Sequence, residues 1–190
     1  MTHAQARQII IRAWRRVHGR DPSESEILYT QAVAWLENQY GRAGQFAAFA
    51  ANGQFNWGSL ERRKTGETCP PGTVEGSDLG TVCFFVYPTD EEAAAAFIRN
   101  LTARHWPTIQ AMRGSPEDVA TAMRVRPAYY EGYSGSENQR IQTYANAIRN
   151  SIRAFGANIP SNQNSNSLFP WFLILGSAGA AFWWYKKKRR

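Results

Sequence analysis

Residues 31–42 read QAVAWLENQYGR, and this stretch determines how the first half of the chain is organised. Apolar residues recur at helical spacing up to Leu36, and Gly41 is suited to ending the helix. A helix is therefore predicted to run to about Tyr40, with Glu37 in its last turn. A carboxylate at that place faces the negative end of the helix dipole, so the sequence predicts a raised pKa for Glu37.

A carboxyl group that is still protonated near neutral pH is what glycosidic bond cleavage requires of a general acid. Glu37 is therefore a candidate catalytic acid. The simpler alternative is an exposed glutamate at the end of a helix, with no chemical role.

Further helices are predicted on both sides of this stretch. The first begins near Ala6 and ends at Gly19, and the second opens with Asp21 as N-cap and Pro22 at its first position. Other helices are predicted to open at Thr89 and Ser115 and to cover about 139–155, and the one convincing strand is 81–87. With a partner strand from the segment before 81–87, the pattern predicts a mostly helical α+β domain with a small β-hairpin.

The positive charge of the chain belongs mainly to its end. The formal net charge is +7, but five of the 22 Lys and Arg residues form the run 186–190. Without that run, 17 basic residues face 15 acidic ones, or +2. The folded part therefore lacks the basic stripe that is typical of nucleic-acid-binding domains.

The two cysteines, Cys69 and Cys83, bracket a short Gly- and Pro-containing stretch. Either they close a loop as a disulfide, which indicates an oxidising compartment, or they are reduced and have no special role. His3, His18 and His105 are scattered, and there is no CxxC pattern. We therefore expect no metal site and no cofactor.

Residues 168–185 read LFPWFLILGSAGAAFWWY and carry no charge. Their length is near the lower limit for crossing a bilayer, and Trp residues lie at both ends. A transmembrane helix is predicted here, with a buried core helix as the alternative. The chain then divides into a domain over 1–157, a polar flexible linker over 158–167, the transmembrane helix, and a basic tail over 186–190.

The expected location follows from these ends. The positive-inside rule places the tail in the cytoplasm, yet the N-terminus has only a three-residue apolar run, too short for a signal peptide. We expect a single-pass membrane protein with a C-terminal anchor, in the cell envelope or in the internal membrane of a virus particle. The tail could then contact anionic lipid or DNA.

Four segments together resemble a known family. They are residues 31–42, Phe55-Asn56-Trp57-Gly58, the run FFVYPTDEE over 84–92, and the run YYEGY over 129–133 with the later Tyr144-Ala145. In this order, over roughly residues 5–155, they resemble the lysozyme-like peptidoglycan hydrolases of the bacterial and phage glucosaminidase type. The resemblance implies a lysozyme-like fold, with a groove between a helical body and a small β-lobe.

The resemblance also implies roles for residues of this sequence. Glu37 is the general acid, and Tyr40, where the family usually has Trp, offers a ring for stacking on a sugar. Asn56 binds the acetamido group of the substrate or holds Glu37, and Trp57 is a groove residue or plain core. The opposite wall of the groove would be formed by tyrosines, with one of them orienting the sugar or stabilising positive charge: Tyr129, Tyr130 and Tyr133. The chain departs from the family at Phe55, where Asn is frequent, and lacks the usual Ala-Thr-Asp run near Tyr133.

A hydrolase with two carboxylates needs a second acid, whose distance from the first decides the stereochemical outcome. The candidates in the expected β-lobe are Glu61, Glu67, Glu75 and Asp78. Glu67 ranks first because it lies beside Cys69. A lytic transglycosylase needs no second acid, since a hydroxyl of the substrate attacks instead.

The sequence thus predicts a membrane-anchored glycosidase that cleaves the glycan strand of peptidoglycan, with peptidoglycan and the lipid bilayer as partners. A lytic transglycosylase on the same substrate is the nearest alternative. A cell-wall-binding protein without catalysis, or a structural membrane protein of a membrane-containing virion, are alternatives from other classes.

Overall fold

The computed structural model of the protein describes residues 1–63, 68–76, 82–103, 106–123 and 135–158. Within these ranges the chain forms seven helices and three strands. In chain order they are α1 (His3–His18), α2 (Glu24–Asn38), α3 (Gln45–Ala51), β1 (Glu61–Arg63), β2 (Thr73–Glu75), β3 (Val82–Phe85), α4 (Asp90–Ala103), α5 (Trp106–Ala111), α6 (Pro116–Met123) and α7 (Glu137–Ala154).

Side-chain caps determine where the longer helices begin. In α2 the Ser23 hydroxyl accepts from the Glu26 amide, and the Glu26 carboxylate accepts from the Ser23 amide. The predicted start of α2, with Asp21 as N-cap and Pro22 at the first position, is therefore two residues too early. The helix begins after Ser23 because this reciprocal capping box satisfies two amide donors at once. Asp21 instead pairs with Arg15 at the end of α1. Capping boxes of the same kind open α1 and α7.

The hydrophobic core surrounds α2. Ile27, Leu28 and Val33 of this helix are buried on different faces, because α1 packs on one side and α7 on another. Helix α4 in turn packs on α1, and α6 packs on α7. Large side chains of these helices are fully buried, among them Trp14 and Leu101. Burial of each such side chain contributes about 1.5–3 kcal/mol, so this core dominates the stability of the domain.

The strands form one antiparallel sheet in the order β1-β3-β2. The central strand β3 pairs with β1 through Arg62 and Cys83, and with β2 through Val74 and Phe84. The predicted β-hairpin is thus corrected to a three-stranded sheet. The sequence pattern missed β1 because Glu61-Arg62-Arg63 has neither apolar alternation nor β-branched residues.

The predicted fold class also included a transmembrane helix, and this part is corrected as well. In the ranges that the structure describes, none of the helices is long and apolar enough to cross a membrane. The segment 168–185, to which the prediction was assigned, lies outside those ranges, as do the basic tail 186–190 and residues 159–167 of the linker. The described residues form a mostly helical α+β domain.

Candidate active site at the end of the second helix

Glu37 lies in the last turn of α2 and is partly buried. The hydroxyl of Tyr144 donates a hydrogen bond to Glu37 Oε1 over 3.3 Å. Tyr144 belongs to α7 and is only 2% exposed, so the packing of α7 against α2 fixes this hydroxyl. The predicted catalytic carboxyl group is thus held between two helices rather than projecting freely from a helix end.

The backbone after Glu37 has an uncommon conformation. Gln39, Tyr40 and Gly41 are three consecutive residues with positive φ angles of 52°, 60° and 72°. Two of them carry side chains, for which this region is unfavourable, and such residues concentrate at functional sites. We refer to Gln39–Gly41 as the left-handed turn. Its first two amides donate back to the carbonyls of Trp35 and Ala34, which closes the end of α2.

A buried asparagine holds the left-handed turn in place. Asn38 is 3% exposed, and its Oδ1 accepts from the amide of Gly41 at 2.7 Å and from the amide of Gly58 at 3.3 Å. Its Nδ2 donates to the carbonyl of Asn56 at 2.9 Å. The side chain next to Glu37 therefore joins the left-handed turn to residues 56–58.

Asn56 continues this connection into the sheet. Its Nδ2 donates to the carbonyls of Leu60 and Phe85 at 2.8 and 2.7 Å, and its Oδ1 accepts from the Leu60 amide at 2.9 Å. The side chain is 1% exposed. Because its polar atoms are committed to backbone groups, the geometry favours a positioning role over the predicted contact with an acetamido group. We call Asn38 and Asn56 the asparagine pair.

Two glycines allow these segments to approach each other. A Cβ atom on Gly41 would lie 2.6 Å from the carbonyl oxygen of Asn56, and a Cβ atom on Gly58 would lie 2.2 Å from the ring of Phe97. Both residues also have positive φ angles. Side chains are thus excluded at both positions on two grounds, backbone conformation and space.

The aromatic residues predicted to bind the sugar are buried. Tyr40 and Trp57 are fully buried, with ring centroids 5.3 Å apart. Trp57 Nε1 donates to Asp90 at 2.9 Å, and Asp90 also pairs with Arg42 at 2.7 Å. Neither ring offers a face for stacking, so we assign both residues to the core that supports the left-handed turn.

Two of the four candidates for the second acid lie in the described ranges. Glu61 in β1 and Glu75 in β2 are exposed residues on the two edge strands of the sheet. Glu61 directly follows Leu60, which bonds to Asn56, so its strand is tied to the end of α2. The remaining predicted site residues lie outside the described ranges, and these are Glu67, Asp78, Tyr129, Tyr130 and Tyr133.

Cys69 and Cys83 are bonded to each other, with a separation of 14 residues along the chain. Cys83 is fully buried in the central strand β3. The bond therefore ties the segment that precedes β2 to the middle of the sheet.

Several site residues were not predicted from the sequence. Tyr144 lies 107 positions after Glu37, and the resemblance included its Tyr-Ala pair without giving it a role. Asn38 carries a local signal, because an asparagine before a glycine turn is well suited to bonding nearby backbone amides. Among the residues that the structure describes, no cluster of His, Cys, Asp or Glu could hold a metal ion. Comparison with protein-family models, with curated proteins and with solved structures found no match.

Proposed function

We propose that this protein cleaves the glycan strand of bacterial peptidoglycan, with Glu37 as the general acid. The observation that carries the proposal is the setting of Glu37. Its carboxyl group is partly buried at the end of α2, accepts a hydrogen bond from Tyr144, and is followed by a left-handed turn that two buried asparagines hold.

This arrangement suits general acid catalysis because a proton donor must be oriented before the substrate arrives. Tyr144 restricts the rotation of the carboxyl group, and the packing of α2 against α7 restricts Tyr144. The asparagine pair fixes the position of the sheet relative to Glu37. A glycan lying across this junction would meet the acid from one side and the sheet from the other.

Two carboxylates are the candidates for the second acid. Glu61 is tied to the end of α2 through Leu60 and Asn56, whereas Glu67 precedes the disulfide-bonded Cys69 by two positions along the chain. Either residue would serve as the nucleophile or the base of a two-carboxylate mechanism, according to its distance from Glu37.

The disulfide supports an extracytoplasmic substrate. Disulfides persist in oxidising surroundings and are rare in the cytosol. Peptidoglycan lies outside the cytoplasmic membrane, so a domain whose small sheet is crosslinked by the Cys69–Cys83 bond suits work on the cell wall.

The test compares the full-length protein with its Glu37→Gln variant on purified peptidoglycan. Glutamine keeps the shape of the side chain but cannot donate the acid proton. The rate of fragment release should fall by about 100-fold to 10,000-fold, while the melting temperature stays within the range of the wild type. Glu91→Gln is the matched control, because Glu91 is a surface glutamate paired with Arg12 and lies outside the site.

Mass spectrometry of the fragments identifies the reaction. A reducing N-acetylglucosamine end indicates a glucosaminidase, a reducing N-acetylmuramic acid end a muramidase, and an anhydro end a lytic transglycosylase. Equal fragment release by the wild type and Glu37→Gln would refute the role of Glu37. A folded wild-type protein that binds peptidoglycan and releases no fragments would instead favour a binding role.

A further inference from the structure

His3 is the first residue of α1, yet it packs beside the left-handed turn at the end of α2. Its ring centroid lies 4.8 Å from that of Trp35 and 4.3 Å from that of Phe155, which follows α7. Its carbonyl accepts from Gln31 Nε2 of α2 at 2.9 Å. The N-terminal turn of α1 is thus held between the ends of the two helices that also hold Glu37.

The polar contact of His3 is with the middle residue of the left-handed turn. His3 Nδ1 lies 2.9 Å from the hydroxyl oxygen of Tyr40, and Tyr40 is fully buried with a φ angle of 60°. A buried hydroxyl without a partner costs about 1–3 kcal/mol. A residue with unfavourable backbone geometry persists only where its surroundings determine that geometry. The hydrogen bond to His3 constrains Tyr40 at its hydroxyl, and Asn38 constrains the backbone at the neighbouring Gly41 amide.

We infer that His3 is a positioning residue, which holds the left-handed turn through the Tyr40 hydroxyl and thereby keeps Glu37 in its catalytic orientation. The link to catalysis rests on the proposed function, whereas the effect on the left-handed turn does not. In the neutral form with its proton on Nε2, His3 accepts at Nδ1 from the Tyr40 hydroxyl. The doubly protonated imidazolium has no acceptor and can only donate from Nδ1 to the hydroxyl oxygen, so the hydroxyl proton of Tyr40 loses His3 as its acceptor.

The pH dependence follows from the surroundings of the ring. Burial lowers the pKa of His3 below its ordinary value of 6.5. The described groups that face it are Gln31, Trp35 and Tyr40 from α2 and Phe155 from the end of α7, and only Tyr40 titrates among them. Burial raises the pKa of Tyr40, so its hydroxyl stays neutral. The bond that the Tyr40 hydroxyl donates to His3 is therefore complete above pH 6.5 and is lost as the pH falls through the lowered pKa of His3.

The test uses full-length His3→Phe, Tyr40→Phe and the double variant. Phenylalanine at position 3 keeps the ring contacts and removes only the acceptor. We expect His3→Phe to lower kcat on peptidoglycan about tenfold at pH 7.5 with little change in KM, because the hydroxyl proton of Tyr40 loses its acceptor. In the double variant the hydroxyl is also gone, so its kcat should exceed the product of the two single effects. His3→Phe should also lack the loss of kcat that the wild type shows below pH 6.5.

The control variant changes a histidine at the other end of α1. His18→Phe replaces a second partly buried histidine, which contacts Thr102 at 3.2 Å, and should leave kcat unchanged. Hydrogen exchange of a peptide covering residues 36–44 measures the left-handed turn without substrate, and it should be faster in His3→Phe than in His18→Phe. Unchanged exchange and kcat in His3→Phe would overturn the inference. If the wild type releases no fragments, the proposed function fails, and this exchange alone decides whether His3 holds the turn.

Discussion

The helical body (α1, α2, α4, α6 and α7) and the small sheet (β1–β3) are stabilised in different ways. The helical body buries large apolar side chains from every helix around α2. The small sheet has strands of three or four residues, and its central strand is bonded covalently through Cys83. Sheets of this size are marginal without further support. The helical body therefore supplies most of the stability, whereas the small sheet depends on a few specific contacts.

The candidate site lies where these two regions meet. The asparagine pair makes contacts there, and beside it the rings of Phe46 in α3 and Phe84 in β3 pack edge to face with centroids 5.0 Å apart. Buried amides specify one geometry, because each unsatisfied partner is costly, while apolar packing tolerates small shifts. A polar junction between a rigid body and a small sheet is therefore well suited to fixing the distance between two catalytic groups.

The largest loss of stability is expected from a substitution in the core of the helical body. Leu101 of α4 is fully buried in the core, and Leu101→Ala should lower the free energy of unfolding by about 2–5 kcal/mol through lost burial and a remaining cavity. Urea unfolding followed by circular dichroism measures this. Arg99→Ala, at an exposed position of the same helix, should change the free energy by about 0.5 kcal/mol or less. Equal effects of the two variants would contradict the distinction between the core and the surface of the helical body.

The second effect is expected from removal of the disulfide. Opening a loop of 14 residues should cost about 3 kcal/mol. Because the bond lies in the small sheet, the helical circular dichroism of the Cys69→Ala, Cys83→Ala double variant should persist under conditions where cleavage of peptidoglycan is lost. Addition of a reductant to the wild type should have the same effect, and addition to the double variant should have none. Retained cleavage in the double variant would show that the small sheet is stable by itself.

The helices could be predicted from the sequence because their ends are encoded locally. Gly19 ends α1 in the left-handed conformation, and the Thr89 hydroxyl accepts from the Glu92 amide at the start of α4, as predicted. Strand β1 could not be predicted, since its only support is pairing with β3, which lies about twenty positions later. Helix α3 was not predicted, because its small residues show no clear helical face.

The candidate site was predictable only in its local part. Glu37 in the last turn of α2 and the glycine after it follow from residues 31–42. The partners Tyr144 and His3 come from other helices, and no spacing rule connects them to Glu37. Asn56 and Trp57 were predicted near the substrate because the resemblance to the hydrolase family assigns these positions to the groove. Burial of 1% or less at both positions is a tertiary property that the sequence pattern does not contain.

The smallest effect of the three is expected at the junction itself, from Asn38→Ala. This change leaves the amides of Gly41 and Gly58 and the carbonyl of Asn56 without their partner. The loss should be about 1–3 kcal/mol of unfolding free energy, near the middle of that range if water does not enter. Its effect on cleavage should be larger than its effect on stability, because the left-handed turn and the small sheet lose their common anchor. Asn52→Ala, at an exposed position, is the matched control.

Asn38→Asp sharpens the same prediction, because an aspartate keeps the acceptor for the Gly41 and Gly58 amides and loses only the donor to Asn56. The ionised side chain would face the Asn56 carbonyl, whereas the protonated side chain can donate to it. Stability relative to the wild type should therefore improve as the pH is lowered from 7 to 5, while that of Asn38→Ala should show no such improvement. If both variants respond alike to pH, the bond to Asn56 does not determine the geometry of the junction, and the amides of the left-handed turn alone do.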